Sequence, residues 1–305
     1  MIETIGQDAD GLLDWTDLTQ AIEDGHKHPK AQIKDTFLYR GKDTLLSRAA
    51  WVDGVGMAVK SATVFPGNAE LDLPTVNGAV SLFADFDGAL EAILDFHLVT
   101  KWKTAADSLL AATKLARMDA QVILILGAGS VATSLREAYG AVFPQARFEI
   151  WNRSAQRAQE MAEDDPRMEV APDLEDAVRR ADIITSATTS SKPLIKGKWL
   201  RPGQHIDLIG AFRPDMREAD DEALKRARIF VDSRETTIDH IGELKIPIAA
   251  GVITPADVLG DFYDLDKPVF GRTSDDDITL FKNGGGAHLD LMTARYILDV
   301  WREHQ

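Results

Sequence analysis

One stretch, residues 121–133, constrains the fold of this chain more than any other. It reads QVILILGAGSVAT, an apolar run followed by a glycine turn and the start of an amphipathic pattern. A buried strand that leads through such a turn into a helix is the phosphate-binding unit of dinucleotide folds. An ordinary loop between a strand and a helix is the alternative, but both flanks favour nucleotide binding.

Each position of this glycine turn has a physical reason. Gly127 permits the tight turn, Gly129 lets a pyrophosphate approach the backbone, and Ala132 stands where a third glycine would pack the helix on the strand. The helix that follows offers unpaired N–H groups to an anion. We therefore predict cofactor contacts along the whole turn, at Gly127, Ala128, Gly129, Ser130, Val131 and Ala132.

Downstream of this stretch, strand and helix patterns alternate. The predicted strands are 122–126, 147–151, 168–170, 182–186, 205–210, 228–232 and 278–281. The predicted helices are 130–141, 154–162, 174–180, 220–226 and, after a glycine turn, 287–302. Such alternation is typical of a parallel doubly wound sheet with helices on both faces.

The residues before this stretch follow a different pattern. Short segments rich in β-branched and aromatic residues, separated by turn signals, predict a mainly antiparallel sheet. These segments are 32–39, 44–52, 56–64, 78–85 and 92–96. Helices are predicted at 14–27, capped by Asp14, and at 100–117. The expected fold class is α/β: a Rossmann-type doubly wound sheet plus a second α+β domain.

Composition narrows the classes of partner and site. The chain has 305 residues, 45% of them hydrophobic, which is enough for two domains with sizeable cores. Its formal net charge of −15 argues against nucleic acid or an anionic membrane surface as the partner. The chain has no cysteine, which excludes thiolate catalysis, and no histidine spacing indicates a metal site. We expect a cytoplasmic protein without a metal, because neither a leader nor a cysteine framework is present.

The tip of the second strand of the alternating region bears on the choice of cofactor. NAD-binding folds place an acidic residue there, whereas this chain has Asn152, Arg153 and Ser154. A guanidinium and a hydroxyl suit a 2′-phosphate, so the sequence favours NADP(H), with NAD(H) as the alternative. Equally, Arg153 is explained as a solvated side chain and Ser154 as a helix cap.

A polar loop, residues 186–191, follows the fourth strand of this region. It lies at the sheet edge where doubly wound folds bind ligands. We predict that Ala187, Thr188 and Ser190 contact the cofactor. Clusters of serine and threonine also form plain loops, and the glycine turn is what favours the binding interpretation.

Segments from across the chain carry a family pattern. They are LSR at 46–48, GMAVK at 56–60, KTAADS at 103–108, GAG at 127–129, IGAFRPDMRE at 209–218 and GRTSDDDITLFK at 271–282. Taken together and in this order, they resemble the ornithine cyclodeaminase/mu-crystallin family. The resemblance covers nearly the whole chain, and residues 271–282 are its most specific part.

The resemblance implies both an architecture and an activity. It implies a dinucleotide-binding domain at 113–282 and a second domain, 1–112 with 283–305, that holds the substrate and forms a homodimer. Family members include ornithine cyclodeaminases, alanine dehydrogenases and ketimine reductases. All exchange hydride between a nicotinamide and the α-carbon of an amino or imino acid.

Three cations match substrate-binding positions of the family. The resemblance assigns Arg48 and Lys60 to the substrate carboxylate and places Lys60 near the reacting centre, as the catalytic residue. Lys103 stands where the family usually has arginine; it keeps the charge and loses the bidentate fork. A surface salt bridge is the alternative for Arg48 and Lys60. Thr104, beside Lys103, is assigned to the cofactor, with a capped helix as the alternative.

The most informative departure from the family is at Phe212. Cyclodeaminases have an aspartate there and a lysine where this chain has Met216. Without that carboxylate we expect reduction of an α-imino acid (ketimine) to an L-amino acid, or the reverse oxidation. Phe212 would border substrate and cofactor and keep water from the imine. The alternatives are ornithine cyclodeaminase, with Asp215 or Asp107 as proton donor, alanine dehydrogenase, and a non-catalytic mu-crystallin-like binding protein.

Gly210, Lys282 and Gly284 complete the predicted cofactor site. Lys282 and Gly284 match a family element near the nicotinamide, where glycine lets the backbone approach the ring. A simple helix entry is the alternative. His288 lies just beyond and is a candidate acid, although a single histidine on a helix is more often structural.

Overall fold

The computed structural model describes residues 2–163 and 165–305. The described strands, in chain order β1 to β14, are Glu3–Ile5, Gln32–Arg40, Asp43–Val52, Gly56–Val64, Val76–Phe83, Leu90–Asp95, Val122–Leu126, Arg147–Trp151, Met168–Val170, Ile183–Ser186, His205–Leu208, Arg228–Val231, Val258–Gly260 and Thr279–Lys282. The described α-helices, α1 to α9, are Trp15–Gly25, Phe96–Leu115, Ser130–Val142, Ala155–Glu163, Leu174–Arg180, Asp221–Arg226, Arg234–Thr237, Gly242–Ala249 and Ala287–Glu303. They form two compact units: the first runs to Lys103 and resumes at Gly286–Gln305, and the second is Thr104–Gly285.

The first unit is built on a sheet whose described strands have the order β1-β6-β5-β4-β3-β2. Strands β2 to β6 are antiparallel, as predicted, and β1 is parallel to β6. The register sets Arg48 on β3 opposite Asp35 on β2 and also opposite Lys60 on β4. Because directly opposed residues point to the same face, these three side chains lie in one row across the sheet.

Helix α9 packs against this face of the sheet and against α1. Along β4 the alternate residues Gly56, Ala58, Lys60 and Ala62 are buried, so Lys60 is the charged member of a row of small residues. Helix α1 begins where predicted, because the Asp14 carboxylate accepts hydrogen bonds from the first-turn N–H groups. The lysine is therefore placed between a sheet and a helix, away from bulk water.

The second unit contains an entirely parallel sheet, with the described strands in the order β13-β12-β14-β11-β10-β7-β8-β9. Strand β7 lies inside the sheet, between β10 and β8, and its residues Ile123–Leu126 are fully buried. The chain moves outward from β7 in one direction and crosses to β10 for the other. The carboxyl ends of β7 and β10 therefore form the topological switch point, where such sheets bind ligands. The predicted fold class, with its Rossmann-type sheet and second α+β unit, is confirmed.

The unit divisions differ from the predicted domain boundaries of 112/113 and 282/283. The first division falls inside α2, a helix that continues from Phe96 to Leu115 without a turn signal. The second falls after Gly285. The assignment of substrate binding and dimerisation to the first unit stays a prediction.

Several element limits need correction. The sequence analysis misses β1, α7, α8 and β13, which are too short or, in α8, too uniformly apolar and interrupted by Pro247 to show a periodic pattern. It also extends the strand at 92–96 one residue too far. The Asp95 carboxylate accepts from the Leu98 N–H at 2.8 Å, so α2 begins at Phe96 and not at residue 100.

The hydropathy of the helices bears on membrane association. Within residues 2–163 and 165–305, none of the helices combines the length and the apolar character needed to cross a bilayer.

Candidate functional site

A cleft of about 280 Å³ opens in the second unit at the carboxyl ends of β7, β8 and β10. It is lined by Gly127, Ala128, Gly129, Trp151, Asn152, Arg153, Arg157, Ala187, Thr188, Thr189, Ser190 and Leu194. Most of the residues that the sequence analysis assigns to the cofactor in these loops are thus brought together. Arg157 is not among the predicted residues, although it lies one turn after Arg153 on α4 and its spacing could have indicated it.

The two glycines of the turn differ in what surrounds them. Gly127 has a φ of +106°, and a Cβ there would lie 2.8 Å from the carbonyl oxygen of Ala187. Gly129 is the N-cap of α3, and a Cβ there would meet no protein atom within 4 Å. Gly127 is needed by the fold, and Gly129 leaves open space before the N–H groups that begin α3.

The polar loop at 186–190 is held by a buried glutamate, Glu218, that the sequence analysis misses. Its Oε1 accepts from the Ser186 hydroxyl at 2.6 Å, from the Thr188 N–H at 2.9 Å and from the Thr188 hydroxyl at 2.8 Å. Its Oε2 accepts from the Ala211 N–H at 3.1 Å. One carboxylate therefore fixes the loops that follow β10 and β11.

Gly210 lies where these two loops meet. A Cβ at Gly210 would lie 1.9 Å from the Thr188 carbonyl oxygen, far inside contact distance. Glu243 supports the same region, because it accepts from the N–H groups of Glu218 and Ala219 at 2.6 and 3.0 Å. Burial raises the pKa of Glu243 to about 7, and the nearby Glu218 adds to that effect.

Lys282 is fully buried and donates inside the unit. Its ammonium bonds the carbonyl oxygens of Leu208 and Asn283, each at 2.7 Å. Burial lowers its pKa, against the attraction of nearby carboxylates such as Glu218 and Glu243. Gly284 is held from its N–H by Asp232 at 3.0 Å. Contact of Lys282 or Gly284 with a cofactor stays a prediction; what the structure shows is that Lys282 supports the glycine loop.

Thr104 and Ser154 make backbone contacts. The Thr104 carbonyl oxygen accepts from the Asn283 amide at 3.1 Å, and the Ser154 carbonyl oxygen accepts from the Asn152 amide at 3.0 Å. The hydroxyl roles that the sequence analysis gives these two residues stay predictions.

A second group of functional candidates lies in the first unit, around Lys60. The Lys60 side chain is 8% exposed, and its Nζ donates to Asp290 Oδ1 at 2.8 Å and to the Thr100 hydroxyl at 2.7 Å. Its Nζ also lies 4.6 Å from the centre of the Phe96 ring. The surface salt bridge considered for Lys60 is therefore wrong: its ion pair is buried.

Arg48 and Lys103 belong to the same electrostatic group. Arg48 NH2 lies 2.9 Å from Asp35 Oδ2, in a half-buried pair. Lys103 is 7% exposed, and within residues 2–163 and 165–305 its ammonium has no hydrogen bond or ion pair. A buried cation in that state is a ready site for an anion. We refer to Arg48, Lys60, Lys103 and Asp290 as the cation cluster.

The cation cluster changes the acidity of its own members. Burial favours the neutral acid of Asp290, but Lys60, Lys103 and Arg48 together outweigh burial and lower the pKa of that carboxyl. Burial lowers the pKa of Lys60, and the charge of Asp290 opposes the shift. Burial also holds the pKa of His288 well below its ordinary value, so His288 is neutral and a poor proton donor. The sequence analysis misses Asp290, whose position in the first turn of a closing helix gives no local signal.

The residues around Phe212 have separate surroundings. Phe212 is 62% exposed, whereas Met216 is fully buried in a small apolar cluster with Ala211 and Ile241. The Arg213 guanidinium pairs with Asp215 at 2.9 Å and lowers the pKa of that carboxyl, which makes Asp215 a weak proton donor. Its role as a substitute for the cyclodeaminase aspartate is therefore disfavoured.

Comparison with known proteins gives a consistent result. Residues 49–305 match the sequence model of the ornithine cyclodeaminase/mu-crystallin family. A Δ(1)-pyrroline-2-carboxylate reductase of Paracoccus denitrificans is 54% identical, covering 96% of this chain and 95% of the relative. A ketimine reductase mu-crystallin of Rattus norvegicus is 32% identical, covering 80% of this chain and 76% of the relative. The solved structure of a Thermococcus litoralis Δ(1)-pyrroline-2-carboxylate reductase with NADH and L-proline matches with a TM-score of 0.90 and 26% identity, over 99% of this chain and 98% of that one.

Proposed function

Because the chain belongs to the ornithine cyclodeaminase/mu-crystallin family, we propose that it is a nicotinamide-dependent reductase of a cyclic α-imino acid such as Δ(1)-pyrroline-2-carboxylate. The product is then the L-amino acid, which for this substrate is L-proline. The observation that carries the proposal is the cation cluster, a buried lysine paired with a buried aspartate and accompanied by a second buried lysine without a partner in the described chain. The glycine-turn cleft supplies the cofactor site.

The three cations differ in what they are free to do. Lys60 and Arg48 are each bonded to a carboxylate, whereas Lys103, within the described residues, is not. We assign Lys103 to the substrate carboxylate, with Arg48 as its helper, because an anion gains most from a desolvated cation that lacks another partner. Lys60 is then the group beside the reacting C=N bond.

The reaction requires a hydride and a proton. The nicotinamide supplies the hydride to the α-carbon and is oxidised, while the imine nitrogen gains a proton and the C=N bond becomes a C–N single bond. A fixed ammonium such as that of Lys60 stabilises the charge that shifts in this step and stands ready to donate to the nitrogen. No other described side chain of the cation cluster carries a proton suited to this task, since Arg48 does not deprotonate and Asp290 is ionised.

The cleft supports a preference between the two nicotinamide cofactors. Arg153 and Arg157 both line it, next to Asn152, and no acidic side chain is among its lining residues in the described chain. Two guanidiniums beside the ribose position suit a 2′-phosphate, so we propose NADP(H) as the preferred cofactor and NAD(H) as the alternative.

We also propose a homodimer as the working unit. The outer strands of the first unit expose large apolar side chains, namely Phe37, Leu38, Tyr39, Leu45 and Trp51. A contiguous exposed apolar surface of this kind is typical of a protein interface. A cytoplasmic location stays a prediction from the sequence.

A substrate panel tests the proposed activity. The purified protein is mixed with NADPH or NADH and with Δ(1)-pyrroline-2-carboxylate, a six-membered cyclic imino acid, or pyruvate with ammonia, and oxidation of the cofactor is followed by absorbance. We expect turnover of the cyclic imines and formation of L-proline, identified by chiral chromatography. Preferred turnover of pyruvate with ammonia would instead identify an alanine dehydrogenase.

Two further outcomes concern cyclodeamination and binding without catalysis. Release of ammonia from ornithine together with proline would identify a cyclodeaminase in spite of Phe212. Tight cofactor binding without oxidation by any imine or 2-oxo acid would support a non-catalytic binding protein and overturn the proposal.

A further inference from the structure

The geometry of the cation cluster points to Asp290 as the positioning residue of Lys60, which orients the lysine ammonium and keeps it protonated during reduction. This inference rests on the proposed function and deepens it, because it identifies what sets the state of the lysine beside the substrate. The lysine comes from β4 and the aspartate from α9, 230 residues later in the chain.

Contacts define the position of the ammonium from two sides. Asp290 Oδ1 accepts from Lys60 at 2.8 Å, and the Thr100 hydroxyl on α2 accepts at 2.7 Å. The third side faces the Phe96 ring at 4.6 Å. A lysine has a flexible four-carbon stem, so two fixed acceptors and a ring face are needed to hold its charge in one place.

Charge gives Asp290 a role that packing alone does not require. The groups that face Lys60 are Asp290 from α9, Lys103 from α2 and Arg48 from β3. Both neighbouring cations disfavour a protonated lysine, burial disfavours it as well, and Asp290 is the one anion among these groups that opposes them. His288, also on α9, adds no charge because burial keeps its imidazole neutral.

Asp290 is itself prepared to remain an anion. It lies in the first turn of α9, a helix of 17 residues, where the helix dipole favours a negative charge. In the described chain its Oδ2 has no hydrogen-bond partner, whereas buried carboxylates with only a structural role normally have both oxygens satisfied. The unfilled oxygen leaves room for a proton donor on the bound imine or amine.

The test compares Asp290→Asn with three other variants. Asp290→Asn keeps the shape and removes the charge, Asp290→Glu keeps the charge, and Thr100→Val removes the second acceptor without a charge change. Asp299→Asn is the matched control, because Asp299 lies on the same helix, is half-buried and does not contact Lys60. Thermal midpoints and NADPH binding, measured for every variant, show whether each one folds.

We expect Asp290→Asn to lower kcat and to move the alkaline limb of the kcat/KM profile to lower pH by about 1–3 pH units, the size of effect of one close opposite charge. Activity should then return partly as the pH is lowered. Thr100→Val should lower kcat without moving the limb, Asp290→Glu should keep the limb in place, and Asp299→Asn should change neither. A loss of activity that is the same at every pH would overturn the inference.

A thermodynamic cycle separates this role from a structural one. In a Lys60→Met background, the change Asp290→Asn should cost less than about threefold in residual activity, because coupled residues are not additive. An equal loss with and without Lys60 would contradict the inference. NMR of isotope-labelled lysine gives a measure that is independent of turnover: the Lys60 resonance, assigned by its absence in Lys60→Met, should titrate at lower pH in Asp290→Asn.

The NMR arm also distinguishes the two failures. If Δ(1)-pyrroline-2-carboxylate is not reduced, the proposed function fails, while the Lys60 titration still decides whether Asp290 controls the protonation of the lysine. An unchanged Lys60 titration in a folded Asp290→Asn protein overturns the inference alone.

Discussion

Each of the two units buries an aspartate almost completely, with opposite results. In the first unit, Asp290 faces three cations, and they lower its pKa in spite of burial. In the second unit, burial raises the pKa of Asp207 to about 6, although the hydroxyls of Thr185, Tyr139 and Ser108 donate to it at 2.7, 3.0 and 3.0 Å. Neutral donors therefore hold a carboxylate in place, whereas cations keep it charged.

This difference extends to the two candidate sites. The cleft of the second unit is shaped by backbone and glycines, so most changes there act through steric fit. The cation cluster is shaped by long side chains and their charges, so changes there act through electrostatics and depend on pH. Substitutions in each region can show whether the two respond in these separate ways.

The largest effect is expected from Lys60→Met. Loss of a fixed charge at the reacting centre should lower kcat/KM by about 10³-fold, the scale seen when a transition-state donor is removed. The Kd for NADPH, measured by fluorescence titration, should change less than about twofold, since the glycine-turn cleft is untouched. Lys42→Met, in the exposed turn after β2, is the control. Joint loss of cofactor binding and turnover would show that Lys60 has only a structural role.

Gly210→Ala should be the most damaging change in the second unit. The added methyl would lie 1.9 Å from the Thr188 carbonyl oxygen, so the backbone must move, at a cost of about 3 kcal/mol. Gly129→Ala is its partner experiment, because a methyl there meets no protein atom within 4 Å. Denaturant unfolding should show a loss of stability in the first variant only. NADPH binding should weaken in both, and normal binding by Gly129→Ala would contradict the proposed pyrophosphate position.

Asp207→Asn tests the hydroxyl-held carboxylate through pH. Its folded pKa of about 6 exceeds the ordinary aspartate value of 3.8, so the folded protein keeps a proton that the unfolded chain releases. The contribution of Asp207 to the free energy of unfolding is therefore full below about pH 4, falls as the pH rises to about 6 and is constant above that. Asparagine removes this loss, so the stability of the variant relative to the wild type should improve by up to about 3 kcal/mol between those limits.

The matched experiment for that prediction is His205→Asn on the same strand. Burial lowers the pKa of His205 to about 3, so this group loses stability as the pH falls and changes the slope in the opposite direction. Urea unfolding at several pH values measures both slopes. An unchanged difference between wild type and Asp207→Asn across this range would contradict the assignment.

The smallest effect is expected at the rim of the cleft. Arg153→Ser and Arg157→Ser should each raise the KM for NADPH by about tenfold, the scale of one charge-assisted hydrogen bond, and leave the KM for NADH nearly unchanged. Stability should not change, because surface charges contribute little to it. Equal effects on both cofactors would remove the support for NADP(H).

The two regions also differ in how much of them the sequence predicts. Gly127 and Gly129 sit within one strand–turn–helix segment, and such local patterns predict the sheet, several strand limits and most of the cleft lining. The cation cluster joins β3, β4, α2 and α9, so only the family resemblance placed Arg48, Lys60 and Lys103 together. Asp290, Glu218 and Glu243 could not be found, because their roles arise from burial and from partners distant in sequence.

A crystal structure with NADPH and pyrrole-2-carboxylate, a planar analogue that cannot be reduced, tests the central claim most directly. The account predicts the analogue carboxylate within hydrogen-bond distance of Lys103 Nζ, Lys60 still bonded to Asp290, and the pyrophosphate against the backbone at Gly129. An analogue bound elsewhere, with Lys60 and Lys103 both free of it, would contradict the assignment of the cation cluster to the substrate.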